Sequence, residues 1–463
     1  MSGMQPDARA LLQKYATSAP RYTSYPTAVD WSKDFDPARY PELLARAAQQ
    51  AGPLSVYVHL PFCAELCLFC GCNMIVSNSV PRIDAYLEAL EREFEFVGAT
   101  GIGRRAVRQY HWGGGTPTQL DLAQIERVQR AFARHFRFSD DAEVGIEVDP
   151  RVTSREQVRL LAQLGFNRIS MGVQDFDESV QQAIKRVQSE AETRAVVEAA
   201  REQGMGSVNI DLMYGLPHQT EAGFARTVER VLQLRPERVA LFHYAHVPWL
   251  KRHQEALDTQ VLPSSETKLT IFLRAIEQFR SAGYDYVGLD HFALPSDELA
   301  VAQRAKNLGR NFMGYTTRRG DDMVSLGVSS IGDVSGSFVQ NQSREREYIA
   351  AVGEHGHAAA RGHELSADDR LRRDVILSLM CNGEVQKSAI EAAHGLRFDE
   401  TFARELAELV PLEQDGLVAL RPERIEVTQL GQLFLRNVAL PFDRYFARRK
   451  QDGDGRPAFS KTL

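Results

Sequence analysis

The chain has 463 residues, of which 43% are hydrophobic and 25% are charged, and its formal net charge is −6. This size allows two or three domains with sizeable cores, and the composition is typical of a soluble globular protein. The acidic balance argues against a general binder of nucleic acids or of membrane surfaces.

Nothing in the sequence indicates export or membrane insertion. The first residues, Met1 to Ala16, are polar and contain no hydrophobic signal-peptide core. No apolar run approaches the roughly 18 residues that a membrane span needs. With only five cysteines, the chain does not resemble a disulfide-rich secreted protein. We therefore predict a cytoplasmic protein with neither a membrane nor a nucleic-acid partner.

Residues 1–35 show neither helical nor strand periodicity. They contain the aromatic and basic run Arg21-Tyr22-Thr23-Ser24-Tyr25-Pro26-Thr27. We predict a separate N-terminal segment over 1–35, followed by a main domain over 36–361.

Short β-branched runs alternate with amphipathic stretches from Leu54 onward. The predicted strands are Leu54–Leu60, Val107–Trp112, Glu143–Val148, Arg168–Val173, Ser207–Leu212 and Val239–Phe242. The predicted helices are Ile83–Val97, Leu120–His135, Ser154–Leu164, Ala191–Gln203 and Ala222–Leu234. Such repeated alternation predicts parallel strands joined by crossover helices.

Four of the five cysteines lie in a short run directly after the first strand, Cys63-Ala64-Glu65-Leu66-Cys67-Leu68-Phe69-Cys70-Gly71-Cys72. Three thiolates on four irons would leave one iron free to bind a ligand. A disulfide conflicts with the predicted compartment, and structural zinc usually draws cysteine pairs from separated segments. Inert buried thiols would not cluster so densely. The spacing therefore favours an iron–sulfur cluster with an open iron.

Chemically capable residues or glycines follow every predicted strand. The second strand runs into Gly113-Gly114-Gly115-Thr116-Pro117, and the third into Glu147-Val148-Asp149-Pro150. Functional groups at the carboxyl ends of parallel strands are typical of (β/α) barrels. We predict an α/β fold with a complete or partial barrel. A doubly wound sheet is the second choice, because no Gly-x-Gly-x-x-Gly follows any strand.

The strand–helix rhythm stops near residue 362, so a C-terminal domain is predicted over 362–463. Its predicted elements are helices Asp369–Met380, Lys387–Ala393, Glu400–Glu408 and Leu430–Val438, with a hairpin of Gly416–Leu420 and Ile425–Val427. Helices followed by a hairpin predict an α-rich, winged-helix-like domain. The segment is not notably basic, so a lid or packing role is favoured over DNA binding.

Motifs that carry a family resemblance extend over most of the chain. They are the runs 21–27, 57–63, 70–72, 111–118, 147–150, 170–176, 209–212, 290–292, 310–312, 314–317 and 372–375. The cysteine motif followed by Gly-Gly-Gly-Thr-Pro resembles the radical S-adenosylmethionine (SAM) superfamily. The N-terminal and late motifs resemble, within it, the family of oxygen-independent coproporphyrinogen III oxidases.

The resemblance implies a [4Fe-4S] cluster held by Cys63, Cys67 and Cys70, with SAM chelated to the open iron. One electron from such a cluster cleaves SAM and releases a 5′-deoxyadenosyl radical. Cys72 is not a ligand in this interpretation; it is a catalytic hydrogen donor or site-shaping thiol, with a structural role equally open. His59 is assigned a substrate contact, with an ordinary core histidine as the alternative.

The resemblance also implies SAM contacts. The productive SAM would contact Tyr57, Gly114, Glu147 and Ile331. A second SAM would contact Phe69, Gly115, Thr116, Gln174, Arg186, Asp211 and Ala245. One residue departs from the family pattern: Met313 stands where the family usually has glutamine. Since Met lacks the amide's donor and acceptor, the second SAM site is open to question.

The implied reaction converts two propionates of coproporphyrinogen III to vinyl groups, giving protoporphyrinogen IX in anaerobic haem biosynthesis. Arg21 is a candidate anchor for propionates, and the 1–35 segment and C-terminal domain would close over the substrate. A flavodoxin or ferredoxin is the expected electron donor, and the protein is expected to be a monomer.

Two other functions remain open. One is a haem-binding carrier of the same superfamily, and the other is a radical-SAM methyltransferase that opens haem. Carriers show a His-Asn…Tyr-Trp pattern, where this chain has Arg310-Asn311…Tyr315-Thr316. This difference favours the enzyme over the carrier.

Overall fold

The structure, a computed structural model, describes residues 10–11, 13–31, 35–452 and 459. The described residues form two compact units. The larger lies within 32–284 and 320–364, and the smaller within 1–31, 285–319 and 365–463. The predicted boundaries at 35 and 361 lie within four residues of limits of these units, but 285–319, which was predicted as part of the main domain, groups with both ends of the chain.

The larger unit is built on one sheet. Its strands are β1 (Leu54–Leu60), β2 (Val107–Gly114), β3 (Phe138–Val148), β4 (Arg168–Gln174), β5 (Ser207–Tyr214), β6 (Arg238–His243), β7 (Asp322–Leu326), β8 (Ile331–Val334), β9 (Ser337–Asn341) and β10 (Ala359–Glu364). Strands β1 to β6 are parallel and adjacent in chain order. On the other side of β1, β7 is parallel, and β8, β9 and β10 follow as antiparallel strands.

The strand order decides between the two predicted architectures. A doubly wound sheet reverses its order at a switch point, whereas here β1 to β6 follow one another without reversal. Among the described residues of this unit, the pairing does not close into a ring. The prediction of a (β/α) barrel is therefore confirmed in its partial form, and all the strand ends from β1 to β6 meet at one edge.

Helices connect the strands. They are α1 (Tyr40–Ala48), α2 (Val80–Ala99), α3 (Leu122–His135), α4 (Arg155–Gln163), α5 (Glu178–Ala183), α6 (Glu190–Glu202), α7 (Glu221–Leu234), α8 (Ser265–Ser281) and α9 (Glu345–His355). Side chains cap several of their starts: Asp121, Ser154 and Ser189 each accept a hydrogen bond from the third residue of the helix that follows. No helix within the described ranges is long and apolar enough to cross a membrane.

The core lies on both faces of the parallel strands. In β1 every residue except Tyr57 is buried, which is typical of a strand covered on both sides. The predicted bounds of β1 are confirmed. The other strands extend beyond their predictions, β2 to Gly114 and β3 back to Phe138. Helices α1, α5, α8 and α9 and strands β7 to β10 were not predicted.

In the smaller unit, two hairpins lie within 285–319. They pair Asp285–Gly288 with His291–Ala293, and Gly309–Asn311 with Gly314–Thr316. Met313 lies in the turn of the second hairpin, where its backbone N–H donates to Asn311 Oδ1 at 2.9 Å. The helix Glu298–Arg304 lies between the hairpins in the chain.

The C-terminal part of this unit has the predicted winged-helix-like arrangement. Its helices are Ala367–Asn382, Lys387–His394, Phe398–Thr401, Ala403–Gln414, Leu435–Ala439 and Arg444–Asp452. Its three strands pair in the order Glu384–Gln386, Arg424–Val427 and Val418–Leu420. The predicted helix Leu430–Val438 is wrong in its first half, because Gly431–Phe434 forms a 3-10 turn.

Candidate active site

The cysteine loop leaves β1 and is closed by a short parallel ladder. Phe62–Cys63 pairs with Ile75–Val76, and the backbone N–H of Ile75 donates to Pro61 O at 2.7 Å. This ladder ties the two ends of the loop together. Because Cys67, Cys70 and Cys72 lie between its two strands and Cys63 lies on the first, the four thiols are held in one small region.

Apolar side chains support the first half of the loop from behind. Cys67, Leu68 and Phe69 pack in one buried cluster with Val180, Ile184, Leu216, Tyr244 and Leu257. In addition, the backbone N–H of Leu68 donates to Ile184 O at 3.0 Å. These contacts anchor the first half of the loop to the apolar interior.

One cavity brings together the loop and the carboxyl ends of β2 to β5. Most of the predicted site residues line it: Cys63, Cys67, Phe69, Cys70, Cys72, Gly115, Thr116, Glu147, Gln174, Arg186 and Asp211. Five predicted residues are not among those that line this cavity: Tyr57, His59, Gly114, Ala245 and Ile331. Asp149 and Arg151, which were not predicted as site residues, also line it.

Two glycines at the end of β2 are required by close approach. A Cβ on Gly115 would lie 2.3 Å from Pro61 O, at the entrance to the cysteine loop. Gly114 has a φ of +117°, and a Cβ there would lie 2.5 Å from the His59 ring. The end of β2 therefore packs directly on the segment that carries the thiols, as only glycine allows.

Glu147 faces the cavity at the end of β3, and its side chain is 46% exposed. Its carboxylate accepts a hydrogen bond from the Gly114 N–H at 3.2 Å and lies 3.6 Å from His111 Nε2. Burial acts to raise the pKa of Glu147, but the hydrogen bonds and charge of His111 and the Gly114 N–H outweigh it and lower that pKa. Glu147 is thus held as a carboxylate that can accept further hydrogen bonds.

His59 is buried, and both of its ring nitrogens are used. Nε2 donates to Asn73 O at 2.9 Å, so Nδ1 is the acceptor for the Tyr57 hydroxyl at 3.1 Å. Burial lowers the pKa of His59 and raises that of Tyr57, which keeps both groups neutral. In this arrangement His59 supports Gly114 and the end of the cysteine loop at Asn73.

A charged network borders the cavity next to Cys67. Arg186 donates to Asp149 at 2.8 Å and to the Gly172 carbonyl at 2.6 Å, and Arg151 donates to Asp149 at 2.7 Å. Both guanidinium groups also lie 3.6 Å from Cys67 Sγ. The two arginines thus place hydrogen-bond donors beside Cys67, and Asp149 pairs with both of them.

Acidic and amide groups lie at the ends of β4 and β5. Asn209 donates to Asp211 at 2.7 Å and to Ser170 at 2.9 Å. Burial, with the charge of Glu147, raises the pKa of Asp211 to about 7. Gln174 adopts a φ of +67°, which is unusual for a residue other than glycine, and its Oε1 has no hydrogen-bond partner in the described part of the chain.

The thiols differ in their surroundings. Cys63 lies 3.5 Å from Thr116 Oγ1, and burial raises its pKa to about 11. Cys70 accepts a hydrogen bond from the Cys72 N–H at 3.4 Å, and hydrogen bonding from Cys72 lowers the pKa of Cys70. Cys72 is exposed at the residue level and faces the cavity.

The donor set fits an iron–sulfur cluster. Within the described ranges, no three Cys, His, Asp or Glu side chains are placed to hold a single metal ion. Zinc needs thiolates converging on one point at about 2.3 Å, whereas a four-iron cluster takes each thiolate on a different iron. Cys63, Cys67 and Cys70 all line one cavity, as does Cys72, so the loop offers the three thiols that such a cluster takes.

Two predicted contacts lie elsewhere in the larger unit. The Ala245 carbonyl, just after β6, accepts a hydrogen bond from Gln254 Nε2 at 3.3 Å. Ile331 begins β8 and pairs with Gln340 of β9. Neither residue is placed against the cysteine loop by a direct contact, so their predicted roles stay predictions.

Family models and curated proteins match this chain. A model of the Radical SAM superfamily matches residues 57–231, and a model of the HemN C-terminal domain matches residues 365–434. The oxygen-independent coproporphyrinogen III oxidase of Salmonella typhimurium is 47% identical over 440 residues, covering 95% of this chain and 96% of that protein. The Escherichia coli K12 protein of the same name is 46% identical over 440 residues, covering 95% and 96%.

A solved structure extends the agreement to the fold. Coproporphyrinogen III oxidase (HemN) from Escherichia coli, described as a radical SAM enzyme, matches with a TM-score of 0.88 at 44% identity. The match covers 94% of this chain and 98% of that chain.

The partial barrel and its cysteine loop define a radical SAM protein, as the resemblance predicted. Its cofactors are therefore a [4Fe-4S] cluster and SAM. Given its relatives, the chain belongs to the family of oxygen-independent coproporphyrinogen III oxidases.

Proposed function

We propose that this chain oxidatively decarboxylates two propionates of coproporphyrinogen III to vinyl groups, giving protoporphyrinogen IX in haem biosynthesis. One observation carries the proposal: the four cysteines of the loop, a glycine-rich strand end and Glu147 line a single cavity. The relatives that match the chain along nearly its whole length bear the name of this activity.

The cluster ligands in this proposal are Cys63, Cys67 and Cys70, as the superfamily resemblance implies. When bound, the cluster donates one electron to cleave a carbon–sulfur bond of SAM, and the fragment released takes up the hydrogen atom that the propionate loses. Each propionate also loses CO2 and one electron, which passes to an acceptor. Cys72, next to Cys70 and facing the cavity, is left as a thiol for hydrogen donation or for shaping the site.

Side chains around the cavity are proposed to bind and orient SAM. Glu147 offers carboxylate oxygens to a ribose or an ammonium group. Gly114, also a proposed SAM contact, donates its N–H to that carboxylate and so helps to hold it in place. Arg186 offers a positive charge suited to the carboxylate of an amino acid. Asp211, whose pKa is raised to about 7, offers side-chain oxygens that can accept hydrogen bonds from an ammonium group. The remaining proposed SAM contacts are Tyr57, Phe69, Gly115, Thr116, Gln174, Ala245 and Ile331.

Further roles are proposed from the sequence. We propose that the 1–35 segment and the C-terminal domain close over the substrate. Arg21, which forms an ion pair with Asp290, is the proposed anchor for propionates. An electron donor of the flavodoxin or ferredoxin class would reduce the cluster. A cytoplasmic location and a monomeric state are also proposed.

Anaerobic reconstitution tests the proposal. The purified chain is loaded with iron and sulfide, then incubated with SAM, a reductant and coproporphyrinogen III. We expect vinyl-bearing product, CO2 and 5′-deoxyadenosine. Tight haem binding without turnover would indicate the carrier instead, and methyl transfer to haem with ring opening would indicate the methyltransferase. The ratio of SAM consumed to vinyl groups formed would show whether the second SAM site operates despite Met313.

A further inference from the structure

Side chains of the segment that follows β6 form hydrogen bonds to the backbone of the cysteine loop. It contains the 3-10 turns Arg252–Ala256 and Thr259–Val261. Three of its side chains donate to loop carbonyls: Lys251 Nζ to Cys72 O at 2.8 Å, His253 Nε2 to Cys70 O at 2.8 Å, and Gln254 Nε2 to Phe69 O at 3.2 Å. These bonds reach successive parts of the loop that carries the proposed cluster ligands.

Gln254 is the central member of the three. Its side chain is 1% exposed, and its Nε2 donates to Ala245 O at 3.3 Å as well as to Phe69 O. Its Oε1 accepts from the Val247 N–H at 2.7 Å. Both hydrogens and the oxygen of this buried amide are therefore used, and together they join the loop to the end of β6.

The second half of the loop makes few packing contacts and few backbone hydrogen bonds of its own, so side chains from elsewhere must hold it. The apolar cluster holds Cys67 to Phe69, but Gly71 and Cys72 are exposed, and a Cβ on Gly71 would meet no atom within 4 Å. The backbone bond from Cys70 N to Cys67 O, at 3.2 Å, is a single local turn. The carbonyls on this stretch are instead held by side chains from the segment after β6.

We propose that Gln254 is a positioning residue, which holds the cysteine loop at Phe69 in fixed relation to Ala245 at the end of β6. His253 holds the loop in the same way at Cys70, and Lys251 holds it at Cys72. The consequence for catalysis rests on the proposed function, since Phe69 and Ala245 are both proposed contacts of one SAM. A cluster ligand must be held within a fraction of an ångström for such a site to work.

The first test uses the protein without cluster or SAM, so it does not depend on the proposed function. Gln254→Met keeps the length of the side chain and removes all three hydrogen bonds. Gln129→Met is the matched control, because Gln129 is also a buried glutamine, bonds Leu164 O at 3.3 Å and lies on α3 away from the cavity. We expect amide exchange at Leu68 and Cys70 to quicken about tenfold in Gln254→Met and to stay unchanged in the control. Equal exchange in both variants would overturn the proposal.

The second test uses the reconstituted protein. In Gln254→Met we expect about tenfold faster loss of iron to a chelator, and an altered change in the electron paramagnetic resonance spectrum when SAM is added. His253→Ala should show a smaller effect of the same kind, which keeps the test informative if Gln254→Met does not fold. A spectrum that matches wild type, with only the thermal stability reduced, would leave Gln254 a packing residue and overturn the proposal. A wild-type chain that binds no cluster would instead refute the proposed function.

Discussion

Gly115→Ala is the substitution whose effect the structure defines best. The Gly115 N–H donates to Leu60 O at 2.9 Å, which places the end of β2 directly against the start of the cysteine loop. An added Cβ would lie 2.3 Å from Pro61 O and 2.8 Å from Phe62 O. Both neighbours are backbone atoms, so no side-chain rotation can relieve the overlap.

The distance by which the two segments must move apart determines how much stability and activity Gly115→Ala loses. An ordinary contact for a Cβ begins at 3.4 Å, so the two segments must separate by about 1 Å at Pro61 O. Forcing an extra carbon into a packed site costs about 1–3 kcal/mol. Displacing reactive groups by about 1 Å costs on the order of 100-fold in rate. We therefore expect a modest loss of stability and a large loss of SAM cleavage.

Gly71→Ala is the matched control, since it adds the same methyl group to the cysteine loop itself. A Cβ on Gly71 meets no atom within 4 Å, and Gly71 is exposed with ordinary φ. Iron content after reconstitution, 5′-deoxyadenosine formation and the unfolding midpoint would be measured for both variants. Gly71→Ala should stay within about twofold of wild type, because nothing has to move.

Two results would refute this reasoning. If Gly115→Ala binds iron and cleaves SAM at the wild-type rate, the close packing of β2 on the loop does not position the site. Alternatively, Gly71→Ala could lose as much activity as Gly115→Ala. The loop would then be sensitive to any change, and the contact at Pro61 would have no special role.

Three further predictions follow from other parts of the structure. Cys67→Ala should abolish cluster binding while Cys72→Ala retains it, as measured by bound iron; equal loss in both would contradict a three-thiolate site. Arg186→Lys should raise the KM for SAM about tenfold, because lysine cannot bond Asp149 and the neighbouring backbone carbonyl together; an unchanged KM would exclude that role. Burial raises the pKa of the fully buried Glu93 to about 7 from 4.5, so its contribution is present below pH 4.5 and lost as pH rises through 7. Between pH 4.5 and 8 the unfolding free energy should fall by about 3 kcal/mol more in the wild-type apoprotein than in Glu93→Gln, measured by chemical denaturation.

Much of the cavity could be predicted because its residues belong to short local motifs. The cysteine loop directly follows β1, and the glycines and Glu147 lie at the carboxyl ends of β2 and β3; all three strands are recognisable from their apolar residues. Once these strands are parallel and adjacent, their carboxyl ends must meet at one edge. The lining of the cavity by these residues confirms that step.

The residues that were missed depend on distant partners. Arg151 follows a recognised motif, yet a lone arginine after a strand looks like an ordinary solvated charge until Asp149 and Cys67 are seen beside it. Gln254 lies in a segment without periodicity. Only the fold brings it to Phe69, and no local pattern marks a glutamine as buried.

The sequence by itself determined the kind of chemistry and the architecture that presents it, because both are encoded in the spacing of thiols and in the repeated alternation of strands and helices. The tertiary structure alone decided the units, which join 285–319 to both ends of the chain, and the short antiparallel strands β8 to β10. It also decided which polar groups hold the cysteine loop. Contacts between residues far apart in the chain arise from packing, and packing leaves no periodic signal in the segments that it joins.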